Sequence, residues 1–100
     1  MGYYSEVAIA VDSQNVEKVR ELIETECPDE FRTADQWNLF RWERVKWNNC
    51  DSIKAIETEL KKLNPESYLF IRIGDWEDDI ETRGKGNAPM RIESVIKLEC

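Results

Sequence analysis

The chain contains no histidine among its 100 residues. That absence removes the commonest general base at neutral pH, the Ser-His and Cys-His nucleophile pairs, and the commonest zinc ligand. Glycine and proline are scarce, at four and three residues, while 41% of positions are hydrophobic. This balance excludes disordered, collagen-like and low-complexity chains. Three cysteines, Cys27, Cys50 and Cys100, are widely spaced and form no C-x-x-C pair. Structural zinc needs four ligands in paired spacing, so no metal site and no cofactor are expected from them. An odd cysteine count without a signal pattern points to free thiols in a reducing cytosol. Cys27 and Cys50 read as small core or boundary residues, and Cys100 as a terminal thiol prone to oxidation. No apolar run approaches the ~20 residues of a membrane-spanning helix. Met1-Gly2-Tyr3-Tyr4 lacks a basic-then-apolar signal, and Glu6 stands where a myristoylation motif needs Ser or Thr. A cytoplasmic protein away from membranes is the expectation.

What is present describes one domain over residues 1–100, long enough to bury roughly two thirds of its unfolded surface. Twenty-one acidic residues against fourteen basic ones give a net charge of −7. Direct binding to free DNA, RNA or an anionic membrane is therefore disfavoured. Val7, Ile9 and Val11 alternate with Ala8 and Ala10, which predicts a strand with one bulky face and one face open to close approach, as by a packed helix. Asp12-Ser13 offers a helix cap, and Val16, Val19, Leu22 and Ile23 follow at helical spacing, with a stop at Cys27 imposed by Pro28. A second helix, capped at Asp51 or Ser52, carries Ile53, Ile56, Leu60 and Leu63 on one stripe and ends at Asn64-Pro65. Strands are expected at 68–73 and 91–98, joined through a flexible tip at Arg83-Gly84-Lys85-Gly86-Asn87. The resulting order predicts an α+β domain: a ferredoxin-like antiparallel sheet of four to five strands with two helices on one face. Its helix-free face is expected to be open.

The segment from Phe31 to Trp47 reads less simply. Leu39, Val45 and Trp47 fall on one strand face, and Phe40 and Trp42 on the other. Either both faces carry bulk, or a bulge near Glu43 switches the phase. A turn at Asp35-Gln36 would make 31–47 a hairpin. Trp37, Phe40, Trp42 and Trp47 interleave with Arg41, Arg44 and Lys46, a pattern that suits base stacking in single-strand binders, but the charge balance favours core packing or a protein seam, including a homodimer.

The main functional candidate is the acidic run holding Asp75, Trp76, Glu77, Asp78, Asp79 and Glu81. The EF-hand pattern is absent from it, so it is not read as a metal site. A solvated, solubilising hairpin is one reading. An indole inside dense negative charge favours another, a docking surface for a basic and partly apolar protein.

Tyr3-Tyr4-Ser5-Glu6-Val7-Ala8, Val45-Lys46-Trp47, and Phe70-Ile71-Arg72-Ile73-Gly74 running into Asp78-Asp79-Ile80-Glu81 resemble a family of small acidic bacteriophage proteins. The resemblance covers roughly 3–98 and brings no catalytic residues with it. It implies a non-enzymatic inhibitor acting in the host cytoplasm on a basic nucleic-acid-binding surface of a defence complex (CRISPR or restriction) or a transcription complex. In that reading Asp75, Glu77, Asp78, Asp79 and Glu81 stand in for phosphates. The alternative is a protein that binds or sequesters a small molecule such as a nucleotide signal, using the open sheet face. A metal-dependent hydrolase built on Asp78-Asp79 is the third possibility.

Overall fold

In a computed structural model the chain is α+β, with a five-stranded antiparallel open sheet and two helices. The structure describes residues 4–47, 51–74, 79–88, 90–92 and 96–98. The elements are β1 (Ser5–Asp12), α1 (Arg20–Thr25), β2 (Glu30–Ala34), β3 (Trp37–Val45), α2 (Asp51–Lys61), β4 (Tyr68–Ile73), β5 (Ile80–Gly84), β6 (Met90–Ile92) and β7 (Ile96–Leu98). The sheet order is β2-β3-β1-β4-β5, so the β1 strand is central and β2 and β5 form the edges.

Val7, Ile9 and Val11 of β1 point into the main core with Phe40, Trp42, Tyr68 and Phe70 of the neighbouring strands. Val19 and Ile23 from the first helical segment, and Ile56 and Leu60 from α2, cover that face. Both helices therefore lie on one side of the sheet. The first helix is shorter than its periodicity predicts. Asp12 accepts from the Asn15 backbone N–H at 3.0 Å, as a cap should, but a 3₁₀ turn over Val16–Lys18 precedes the α-helix. β-branched Val16 and Val19 in this opening segment disfavour a regular helical start. The helix ends through Cys27, held at φ 52, in front of Pro28. Cys27 is exposed, not the core or boundary residue expected from its type.

The 31–47 segment is a hairpin turning at Asp35 (φ 54) and Gln36. Between Ser5 and Val7 the β1–β3 register shifts by one residue, so Ser5 faces Val45 while Val7 faces Trp42. This is the bulge near Glu43. It rotates Val45 and Trp47 onto the same core as Trp42, which resolves their conflicting periodicity.

Two expectations need correction. Residues 91–98 do not form one strand of the main sheet: β6 and β7 pair with one another as a separate two-stranded sheet. The strand beside β4 is instead β5, in the register Ile73–Ile80, Arg72–Glu81 and Phe70–Arg83. Nor is the helix-free face open. Ala8, Ala10, Leu39 and Ile71 are buried there, in a second cluster with Trp37 that Leu69, Ile73 and Ala88 complete. The β7 strand approaches β1, and with β3 and β4 in plane and the helices opposite, it comes over the alanine face. Alanine at two successive positions of that face permits this approach without displacing larger side chains. The β7 strand thus takes the place assigned above to a packed helix.

Candidate functional site

The acidic run sits at the β4–β5 connection. Asp75, Trp76, Glu77 and Asp78 lie outside the described residues, and the two remaining members, Asp79 and Glu81, are both described. The Gly74 N–H donates to the Asp79 carbonyl at 2.7 Å, closing the hairpin beneath the intervening four residues. Arg72 lies directly across from Glu81 in the ladder. Its Nε donates to Glu81 at 2.8 Å, its Nη2 to Asp79 at 2.7 Å, and its Nη1 to the Ser5 hydroxyl at 3.1 Å.

The network continues along the helix side of β5. Arg83 donates to Glu81 at 3.1 Å and to Glu57 of α2 at 2.8 Å. Glu57 also accepts from the Trp47 indole at 3.0 Å, and the Arg83 guanidinium lies over the Phe70 ring at 5.7 Å. Charges therefore alternate from Asp79 through Arg72, Glu81 and Arg83 to Glu57, fixing the hairpin to the sheet and the sheet edge to α2. Burial alone would push the Arg72 guanidinium down, but hydrogen bonds and attraction from Asp79 and Glu81 outweigh it and hold the group above its ordinary value. The sign follows: stability from this raised value is fully present below the ordinary arginine pKa and is lost only as pH rises through the higher folded value. Alkaline titration across the lysine and tyrosine range should leave the Arg72 clamp intact.

A similar arrangement holds the other face. Arg41 donates to Glu6 at 2.7 Å, and to Glu30 and Glu43 at 3.2 Å each. Burial opposes its charge, and hydrogen bonding and attraction from Glu6 lead the contributions that hold its guanidinium above the ordinary value. Trp37, Phe40 and Trp42 are buried, so these rings form core and offer no stacking platform. Arg44 and Lys46 lie over the Tyr4 ring at 4.3 and 5.6 Å.

These contacts separate the acidic run into two parts. Asp79 and Glu81 are anchors whose charge is offset by arginine, while Asp75, Glu77 and Asp78 lie outside the described residues. Arg72 and Glu81 are placed symmetrically about residues 75–78, the first four of the acidic run and not its middle, so the sequence discloses their pairing only once the turn is placed there. Among the described residues no group of three Cys, Asp or Glu side chains is placed to hold a metal ion. A shallow crevice lined by Glu57, Leu60, Lys61, Tyr68, Phe70 and Arg83 has a cavity volume of about 10 Å³, room for about one water and far below the roughly 300–1,000 Å³ of ordinary ligand sites. No helix among the described residues is long and apolar enough to cross a membrane.

No protein-family model, curated protein or solved structure matches the chain. Function is therefore read from the geometry of the site.

Replacing Arg72 with methionine keeps most of the apolar stem and removes the clamp. The guanidinium side chain is 15% exposed, but Asp79 and Glu81 are 37% and 42% exposed and can be rehydrated. The loss should therefore be about 1–2 kcal/mol, well below that for breaking a fully buried pair. Thermal melts at low and high salt check this: the gap between variant and wild type should narrow with salt, and coincident melts at low salt would remove the clamp from the account.

Proposed function

We propose that this chain is a non-catalytic binding protein that docks an acidic hairpin loop onto a basic protein surface, in the manner of a bacteriophage inhibitor acting on host nucleic-acid machinery. The observation that carries this reading is the base of the loop. A closed Gly74–Asp79 contact and an arginine clamp on Asp79 and Glu81 fix the two points between which residues 75–78 run, a stretch whose sequence carries three acids and Trp76. A loop on a fixed base presents its charges with less ordering cost than a free tail, which favours binding. Glu81 and Asp79 serve the fold in this reading, and Asp75, Glu77 and Asp78 serve the partner, with Trp76 as the apolar contact. The net charge of −7 supports attraction to a basic partner, and the host cytoplasm is the corresponding setting. The reading requires no catalytic step, cofactor or direct nucleic-acid contact. We also read the fold as a ferredoxin-like plan extended by one strand. Its support is the order β2-β3-β1-β4, with each helical connection passing over one intervening strand and β5 added at the edge.

Capture from bacterial lysate at low and high salt tests the docking role. The unmodified chain should retain a basic partner that high salt releases, and Asp75→Asn/Glu77→Gln/Asp78→Asn should lose it while melting normally. Asp79→Asn/Glu81→Gln should instead lower the melting temperature. Capture by the triple variant equal to that of wild type would remove the loop from the binding surface.

A further inference from the structure

The edge strand β2 has a pattern that the acidic hairpin does not explain. Phe31, Arg32 and Thr33 are exposed, and Phe31 leaves half its surface in solvent, the most of any large hydrophobic residue among those described. It touches the sheet through Phe40 alone among ring contacts, with centroids 5.0 Å apart. Exposed edges are commonly blunted against pairing by proline, a bulge, short length or charged side chains; this edge is five residues long and its two charges, Glu30 and Arg32, are of opposite sign. Residues 30–34 have no proline and a regular ladder to β3.

The backbone phase of this edge can be read from its inner side. The Arg41 carbonyl faces β2, since it accepts from the Asp29 N–H at 2.9 Å. Leu39 and Trp37, two and four positions away, then face β2 as well, and their partners Glu30, Arg32 and Ala34 spend their backbone groups on β3. The two-residue turn closing on the Ala34–Trp37 pair requires the same phase. Phe31 and Thr33 consequently direct their N–H and C=O groups to the free side.

We propose that the chain forms a two-fold dimer by antiparallel pairing of two β2 edges, with Phe31 opposite Phe31 of a second copy. The phase requires the hydrogen-bonded pair on the axis to be one of the outward-facing residues, and Phe31 meets that requirement. This register places Glu30 of each copy opposite Arg32 of the other, two complementary pairs flanking an aromatic pair. Cross-strand pairs of both kinds stabilise a ladder. Shifting the axis to Arg32 sets arginine against arginine, and shifting it to Glu30 sets glutamate against glutamate. The other outward-facing residue, Thr33, placed on the axis would set Arg32 against Ala34 and Phe31 against Asp35, with no opposite charges paired. The Phe31 register alone matches charge to charge, and its partner is a second copy of this chain. Within one chain Glu30 and Arg32 already form a salt bridge at 2.5 Å, so both side chains lie on one face and dimerisation exchanges partners without burying a lone charge. The joined sheet has ten strands and an isologous interface.

Sedimentation velocity from low micromolar to millimolar concentration should show a monomer–dimer equilibrium. Glu30→Lys alone and Arg32→Glu alone each bring like charges together twice and should weaken the dimer by at least about tenfold. An equimolar mixture of the two variants should recover dimers. In the mixed dimer the introduced lysine of one copy faces the introduced glutamate of the other, and the unaltered Arg32 and Glu30 face one another in the second pair. Glu30→Lys also removes a partner of Arg41, so Arg32→Glu and Phe31→Lys keep the test independent of that contact. A wild type that stays monomeric throughout the range overturns the proposal. So do single variants that dimerise like wild type, or a mixture of folded variants that stays monomeric.

Discussion

Truncating Trp42 to alanine should cost about 3–5 kcal/mol, at the upper end for a single core change. The side chain is 2% exposed and lies where three parts of the molecule meet. Its ring packs against Trp47 with centroids 5.3 Å apart. Its indole N–H donates to the Glu26 carbonyl at 2.9 Å, just beyond the end of α1. On the sheet it faces Val7 of the central strand. Removing it leaves a cavity under α1 and an unpaired carbonyl at the helix terminus, two penalties that add. For a domain with about 5–15 kcal/mol of total stability, this is a large fraction of the whole. The melting temperature should fall by at least about 12 °C, at roughly 4–8 °C per kcal/mol. Trp42→Phe separates the contributions: it keeps most of the packing, loses the hydrogen bond, and should cost well under half as much. Equal losses for the two variants would assign the stability to the Glu26 contact and not to ring burial.

The same region shows what the amino-acid order discloses and what it withholds. Bulky residues at alternate positions of β1 and the stripe of Ile53, Ile56 and Leu60 on α2 announce their elements because a single face decides their burial. The turn at Asp35-Gln36 is also local, and so is the bulge, which two contradictory hydrophobic phases disclose. Ion pairing is different. Arg41 gathers Glu6, Glu30 and Glu43 from three strands, and no spacing along the chain predicts that convergence without the sheet order. Asp79 and Glu81 look like members of one uniform acidic run until the β4–β5 register sets arginines against them. The aromatic segment misleads in the same way: basic residues between rings suggest a stacking surface only until the strand turns the rings inward and commits Arg41 to three carboxylates. As for the helix-free face, two alanines announce a close neighbour, but its identity depends on chain segments far away in sequence.

Gly84 shows the difference most sharply, because a glycine-rich stretch there reads as a flexible tip and the structure makes it a fixed joint. After β5 the chain folds back across the start of β4: the Lys85 N–H donates to the Pro65 carbonyl at 2.6 Å and the Gly86 N–H to the Tyr68 carbonyl at 2.9 Å. Gly84 adopts φ +83, and a Cβ added there would overlap the Tyr68 carbonyl oxygen. Backbone on both sides prevents relief by a side-chain rotation. Gly84→Ala therefore combines a left-handed penalty of about 1–2 kcal/mol with displacement of the β4–β5 junction, for an expected loss of about 2–4 kcal/mol. At Gly86 a Cβ would meet the Trp37 ring at 2.7 Å and the same carbonyl at 2.8 Å, without the positive φ. Gly86→Ala should accordingly cost less than Gly84→Ala, and D-alanine at position 84, which accepts the positive φ, should recover much of the loss. Melting curves order the three variants. Amide exchange at Lys85 and Gly86 locates the damage, because a joint that has opened loses its protection there first. If Gly84→Ala melts with the wild type, the segment is a mobile tip after all, and the β5 edge that holds the acidic hairpin through Glu81 and Arg83 has no fixed end.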